Sequence, residues 1–290
     1  MAKYLNCGCG NRYVVSDFWV NADLRTQSPD ILAIDLREKL PFSDGMFDLV
    51  YHSHVLEHLT YTDAQKFLQE CYRILKPNGI IRVVVPDLEN IVREYIYLLE
   101  EIRQGCTDAF AKYDWIMLEM YDQVARHFSR GMMGNYLSKK NIPALDYVLE
   151  RGGKEVENII KSATASQNNP GSRDIHQLST RPSPGKLVSS ILSKLKKVPK
   201  ILREKLISFL LGEEYSLLQV GRFRNSGEVH QWMYDSCSLE RLLESVGFVQ
   251  IKVQNPYQSY LENWCQFHLD TEPDGSIYKP NSLYMEARKP

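Results

Sequence analysis

Short apolar runs broken by turn residues fill the first third of the chain, and helical periodicity takes over after it. Tyr4-Leu5-Asn6-Cys7 reads as a buried strand that breaks into the turn Gly8-Cys9-Gly10-Asn11. Further strands are expected at 20–23, 31–36, 47–52 and 80–86. Ahead of the last of these, Ala64, Phe67, Leu68, Cys71, Ile74 and Leu75 share one face of a helix over 63–76. Thr62 and Gln65 give it a capping box, and Pro77-Asn78-Gly79 stops it. Asp87 is placed to cap a second helix, in which Leu88, Ile91, Val92, Tyr95, Leu98, Leu99 and Ile102 recur at helical spacing.

Strands that alternate with crossovers imply parallel pairing in an α/β sheet. Between the glycine turn and Val20 there are too few residues for a full crossover helix. The stretch from Arg12 to Trp19 is therefore expected as a short helix or an irregular loop, with a weak helix dipole to offer a ligand.

The middle of the chain follows a different pattern. Residues 106–161 read as helical, with Gly131-Met132-Met133-Gly134 as a turn, and 163–186 as a long flexible loop rich in Ser, Asn, Pro and Gly. From Lys186 to Leu211, Lys186, Lys194, Lys196, Lys197, Lys200, Arg203 and Lys205 accompany an apolar stripe that includes Val188, Ile191, Leu195, Leu202 and Phe209. Such a stretch suits an anionic membrane interface. The pattern alone better suits two short helices, broken at Pro199, that pack on the core behind a solvated basic face. Leu239, Leu242, Leu243 and Val246 then mark a helix closed by Gly247, before strands at 249–253 and 283–287. The expected organisation is thus a first part over 1–88, a mainly helical insertion over 89–227, and a return to the sheet over 228–290.

A net charge of −1 leaves no global footprint for nucleic acid. No apolar run approaches the ~20 residues of a membrane span, and the start Met-Ala-Lys-Tyr lacks the apolar core of a secretory leader. Six cysteines without a C-x-x-C pair read as reduced thiols of a cytoplasmic protein.

The candidate chemistry begins at the glycine turn. A strand that ends in G-x-G lets backbone approach a ligand closely, because Gly8 and Gly10 carry no Cβ. Asp23 ends the second strand, where a carboxylate can accept two ribose hydroxyls, although a simple turn former would also fit there. Asp35 and Leu36 follow the third run, and either reading applies to Asp35 as well. His54-Val55-Leu56-Glu57-His58 formally matches H-x-x-E-H, a zinc-peptidase pattern. Its context, the exit of a strand with no downstream acidic helix, argues against that use, and no metal is assigned. His230 precedes the helix before the sixth strand; it reads equally as a general base at the mouth of a site or as a packed histidine beside Trp232.

In this order and spacing, these motifs resemble the class I S-adenosylmethionine-dependent methyltransferases, most nearly the type 11 group, over about residues 3–90 and again from about 228. The resemblance implies a doubly wound, mostly parallel seven-stranded sheet (a Rossmann-like fold) whose final strand inserts antiparallel, with a large helical insertion that carries substrate-binding elements. It implies S-adenosyl-L-methionine as cofactor, held by Asn6, Gly8, Gly10, Asp23, Asp35, Leu36 and Ser53. Asn6 stands where the family usually has an acidic residue, and Arg12 where it has a third glycine. His58, with Glu57, would lie near the methyl-transfer centre, and His58 and His230 are the catalytic candidates. The expected reaction is methyl transfer to a small-molecule or glycan hydroxyl, by analogy in surface-polysaccharide assembly. In that setting the 186–211 stretch would make peripheral contact with the inner face of the membrane. A methyltransferase-fold binding protein without turnover, or a zinc hydrolase through His54 and His58, are the alternatives.

Overall fold

A computed structural model of the protein describes residues 2–26, 28–168 and 201–290. Its seven strands are β1 (Tyr4–Cys7), β2 (Trp19–Asp23), β3 (Ile31–Ala33), β4 (Phe47–Ser53), β5 (Leu75–Pro86), β6 (Val249–Gln254) and β7 (Ser282–Arg288). They form one sheet in the order β3-β2-β1-β4-β5-β7-β6. β1 to β5 pair in parallel, and β7 runs antiparallel between β5 and β6.

Strand alternation divides the core by sheet face. Leu5, Cys7, Val50, Ile81, Val83, Val85, Leu283 and Met285 point to one side, into a cluster closed by helices α1 (Tyr61–Ile74) and α9 (Ser236–Val246). Leu49, Tyr51, Ile80, Val84 and Tyr284 point to the other. That second face is covered by an aromatic segment, with Trp264 and Phe267 against Trp19, Tyr4 and Phe18. Where a first crossover helix would lie, residues 12–18 are irregular.

Two helix expectations shift. α1 is capped by Thr60, whose side chain accepts from Asp63 N, so the predicted box at Thr62 falls inside the first turn. β5 starts at Leu75 and runs through Pro77-Asn78-Gly79, because Asn78 N and Gly79 O pair with Lys289 beside β7. Asp87 caps α2 (Leu88–Arg103) as expected, by accepting from Asn90 N.

After α2 come α3 (Ala109–Met117), a π-helical turn (Leu118–Asp122), the single turn α4 (Gln123–Ala125), α5 (Gly131–Leu137) and α6 (Leu145–Asn168). Gly131 and Gly134 therefore belong to a helix and not to a turn. The cause is remote: the Asp122 carboxylate accepts from Met132 N (2.6 Å) and Met133 N (3.2 Å), so it caps α5 from the π turn. α6 also extends through residues assigned above to a loop. The rest of that loop, and 186–200 of the basic stretch, lie outside the described residues. Residues 201–211 are helical (α7), and Leu202, Leu206, Phe209 and Leu210 are exposed there, not packed on the core. After α8 (Glu214–Arg224) the chain rejoins the sheet at Tyr234, which bridges to Asp87 and accepts from Leu88 N.

Candidate active site

Two adjoining cavities open at the carboxyl ends of the parallel strands. The first, of about 410 Å³, is lined by Gly8, Asp23, Asp35, Leu36, His58 and Gln231 among others. Its floor is the turn after β1. Gly8 and Gly10 have φ of +65° and +52°, in the left-handed region that side chains disfavour. Gly8 N and Cys9 N donate to Ala22 O, and Gly10 N donates to Asp23 Oδ2 at 2.9 Å, so β2 holds the turn shut. A Cβ on Gly8 would lie 2.3 Å from Val55 Cγ2. Glycine is thus required there by packing against the loop after β4 as well as by φ.

Each Asp23 oxygen accepts one backbone N–H, from Gly10 and Arg25, which leaves lone pairs free for further donors. Asp35 is forked by Arg37 at 2.9 and 2.6 Å, and those hydrogen bonds hold its carboxyl below the usual range. Asp23, Asp35, Leu36, Gly8 and His58 are therefore gathered around one space.

Three predicted contacts are not. Asn6 is buried beneath the turn, with Nδ2 donating to Arg12 O, so its amide is spent on the loop. Gly10 lies on the exposed outer side of the turn, and Ser53 lines neither cavity. His230 also departs from its expected place at the mouth. It is 4% exposed, its N–H donates to Gln123 O, and its ring stands edge-on to His58 at 4.6 Å. Burial pushes its pKa down to about 3.

The second cavity, of about 470 Å³, lies between the sheet and the insertion. Its apolar wall includes Ile91, Trp115, Leu137 and Val156. Its polar groups come largely from the π turn and its neighbours. Glu119 is held by Arg151 and the Trp115 indole, and Arg126 lies 3.2 Å from Asp122 and 3.6 Å from Glu228. A π turn places side chains off the helical register and is frequent at functional sites.

His54 is the one described residue that lines both cavities. Its backbone is left-handed (φ +54°), Nε2 is 2.9 Å from Ser282 Oγ, and Nδ1 is 3.3 Å from Glu57 Oε1. Glu57 is fully buried. Burial alone would raise its pKa, but His54, His58 and His230 outweigh that and hold the carboxyl below the usual range.

Sequence reasoning passed over Arg12 and the π turn. Arg12 donates to Leu269 O, Thr271 O and Glu272, and stacks over Tyr278, so it ties the irregular loop to the carboxyl-terminal segment. Its position in place of an expected glycine was the available signal. Nothing local marks the π turn.

The family profile described as "Methyltransferase domain" matches residues 5–83. Residues 5–83 are thus similar to a methyltransferase domain. Among curated relatives, a protein of Methanocaldococcus jannaschii of uncharacterized function is 35% identical over 106 residues, which is 32% of this chain and 44% of that one. A ubiquinone/menaquinone biosynthesis C-methyltransferase of Neisseria gonorrhoeae is 49% identical over 47 residues, 16% of this chain and 18% of that one. The chain thus spans less than half the length of these relatives. A SAM-dependent methyltransferase structure from Archaeoglobus fulgidus aligns over 99% of this chain and 86% of its own, at 12% identity and a TM-score of 0.38. The first cavity fits S-adenosylmethionine, the cofactor expected from the strand-end motifs. It combines carboxylates at two adjacent strand ends, an apolar cover at Leu36, and a turn whose side-chain-free backbone faces the space.

Proposed function

We propose that the protein binds S-adenosylmethionine in the first cavity and methylates a hydroxyl of a small-molecule or glycan acceptor in the second. The observation that carries this reading is the shared wall: His54 separates a nucleoside-type cleft from a cavity built by the insertion. Asp23 accepts the ribose hydroxyls, Asp35 takes the exocyclic amine, and Leu36 covers the ring. The bound cofactor supplies an activated methyl group on sulfur. The chain supplies alignment and a site closed to water, which are large parts of the barrier for such a displacement. His54, fixed by Ser282, sets the boundary across which the acceptor oxygen approaches. Paired charges above an apolar wall, as at Arg126, Glu228 and Trp115, suit the hydroxyl edge and the C–H face of a sugar. A role in surface-polysaccharide biosynthesis belongs to this reading, as does an anionic membrane surface as partner for the basic stretch.

Mass spectrometry of the purified protein should find co-purified S-adenosylmethionine or S-adenosylhomocysteine. Incubation with methyl-labelled cofactor and glycan acceptors should then move label to an acceptor oxygen. Cofactor binding with no labelled product across acceptors would favour a binding protein without turnover, and absence of binding would end both readings.

A further inference from the structure

Glu57 is buried, and the titratable groups that face its carboxylate are the imidazoles of His54, His58 and His230. Neither carboxylate oxygen has a hydrogen-bond partner among the described residues, and no Lys or Arg pairs with it there. His54 Nδ1 approaches to 3.3 Å but is not aligned as a hydrogen bond, and that ring's Nε2 is engaged by Ser282. Arg126, a nearby cation, is shared between Asp122 and Glu228. A buried carboxylate left in this state is costly unless a cation meets it.

Two imidazoles converge on the same point. One ligand atom each from Glu57, His58 and His230 lies within 4.8 Å of the others. His58 Nδ1 is itself buried and without a partner. We propose that Glu57, His58 and His230 form a binding site for a divalent transition-metal ion. Two imidazoles and one carboxylate suit zinc or iron(II), and not calcium or magnesium, which prefer oxygen ligands throughout. His58 also lines the first cavity, which gives the ion an entry path and leaves coordination positions on that side. The grouping differs from the H-x-x-E-H spacing, since His54 is turned to Ser282 and His230 takes its place.

The site joins distant parts of the chain. Glu57 and His58 lie in a single 3₁₀ turn (Leu56–His58) after β4, and His230 lies in the segment that returns from the insertion. Gln231 N and Trp232 N already donate to Glu57 O across this seam. An ion on these three side chains would neutralise Glu57 and lock the seam that walls the first cavity.

The test uses full-length protein stripped with a chelator and titrated with Co²⁺, followed by visible absorption and by competition with Zn²⁺. About one equivalent should bind with nitrogen- and oxygen-type d–d bands, and the thermal midpoint should rise with metal. Glu57→Gln and His230→Gln should each weaken Co²⁺ by more than the roughly 10–100-fold that outer-sphere partners carry. If one variant fails to fold, the other and the wild-type stoichiometry still decide. Failure of the wild type to take up Co²⁺ would overturn the site. So would unchanged affinity in a folded variant, or an intense sulfur-to-cobalt band that puts the ion on thiols such as Cys106 or Cys237.

Discussion

Arg82 on β5 and Glu286 on β7 face each other across the antiparallel pair, both fully buried, with Nη1 2.8 Å from Oε1. The same guanidinium reaches Asp270 and the carbonyls of Gln258 and Asn255. Burial alone would lower the Arg82 pKa, but Asp270 and Glu286 raise it, so the charge is kept. Arg82→Met would strand two buried carboxylates and should cost about 3–5 kcal/mol of stability by urea denaturation. A loss under about 1 kcal/mol would show that the network relaxes or takes in water.

Asp23→Ala should weaken S-adenosylmethionine by about 1.5–3 kcal/mol, the scale of hydrogen bonds to a charged group. Calorimetry reads this directly. Unchanged affinity in a folded variant would confine Asp23 to bracing Gly10 and Arg25.

The two turn glycines should respond differently. Gly8→Ala drives a methyl group into Val55 and should lower the melting temperature markedly, whereas Gly10→Ala meets nothing within 4 Å. Its cost should be only the left-handed strain, about 1–2 kcal/mol. Equal melting temperatures would mean that Val55 yields easily.

Thiol reactivity reports on the same turn. Burial, then Asp23, pushes the Cys9 pKa up to about 11, so at pH 8 only about one in a thousand is thiolate. Iodoacetamide at that pH should label the exposed Cys106 and Cys237 and spare Cys9 and the buried Cys7. Prompt labelling of Cys9, mapped by peptide mass spectrometry, would show that the turn opens.

The proposed membrane contact predicts sedimentation with anionic vesicles at low ionic strength, since each basic residue near such a surface is worth about 1 kcal/mol and salt screens it. Phe209→Glu with Leu210→Glu, on the exposed part of α7, should release the protein. Equal binding to neutral vesicles would refute the electrostatic reading.

What could be read from the sequence follows from the range of each interaction. The strands were legible because neighbouring positions in each run serve opposite faces, and the Asp87 cap because it acts three residues away. Nothing in Ile80-Ile81-Arg82-Val83 marks Arg82, since its partners lie at 255–286. The start of α5 looks like a turn in the sequence for the same reason, its cap being Asp122. His230 reads as a residue at a mouth because it precedes the helix before the sixth strand, with packing beside Trp232 as the alternative. In the fold Trp232 is exposed, and the histidine ring turns inward to His58.

The placement of β7 has a consequence for how the chain is made. On a ribosome, residues 4–86 can assemble the parallel half of the sheet early, but the outer edge of β5 finds no neighbour until 282–288 emerge. Throughout that interval an apolar strand presents unpaired N–H and C=O groups, a template for pairing with another chain. Nascent chains of this protein therefore carry an aggregation hazard that the finished molecule conceals, and any truncation before Ser282 would make that hazard permanent.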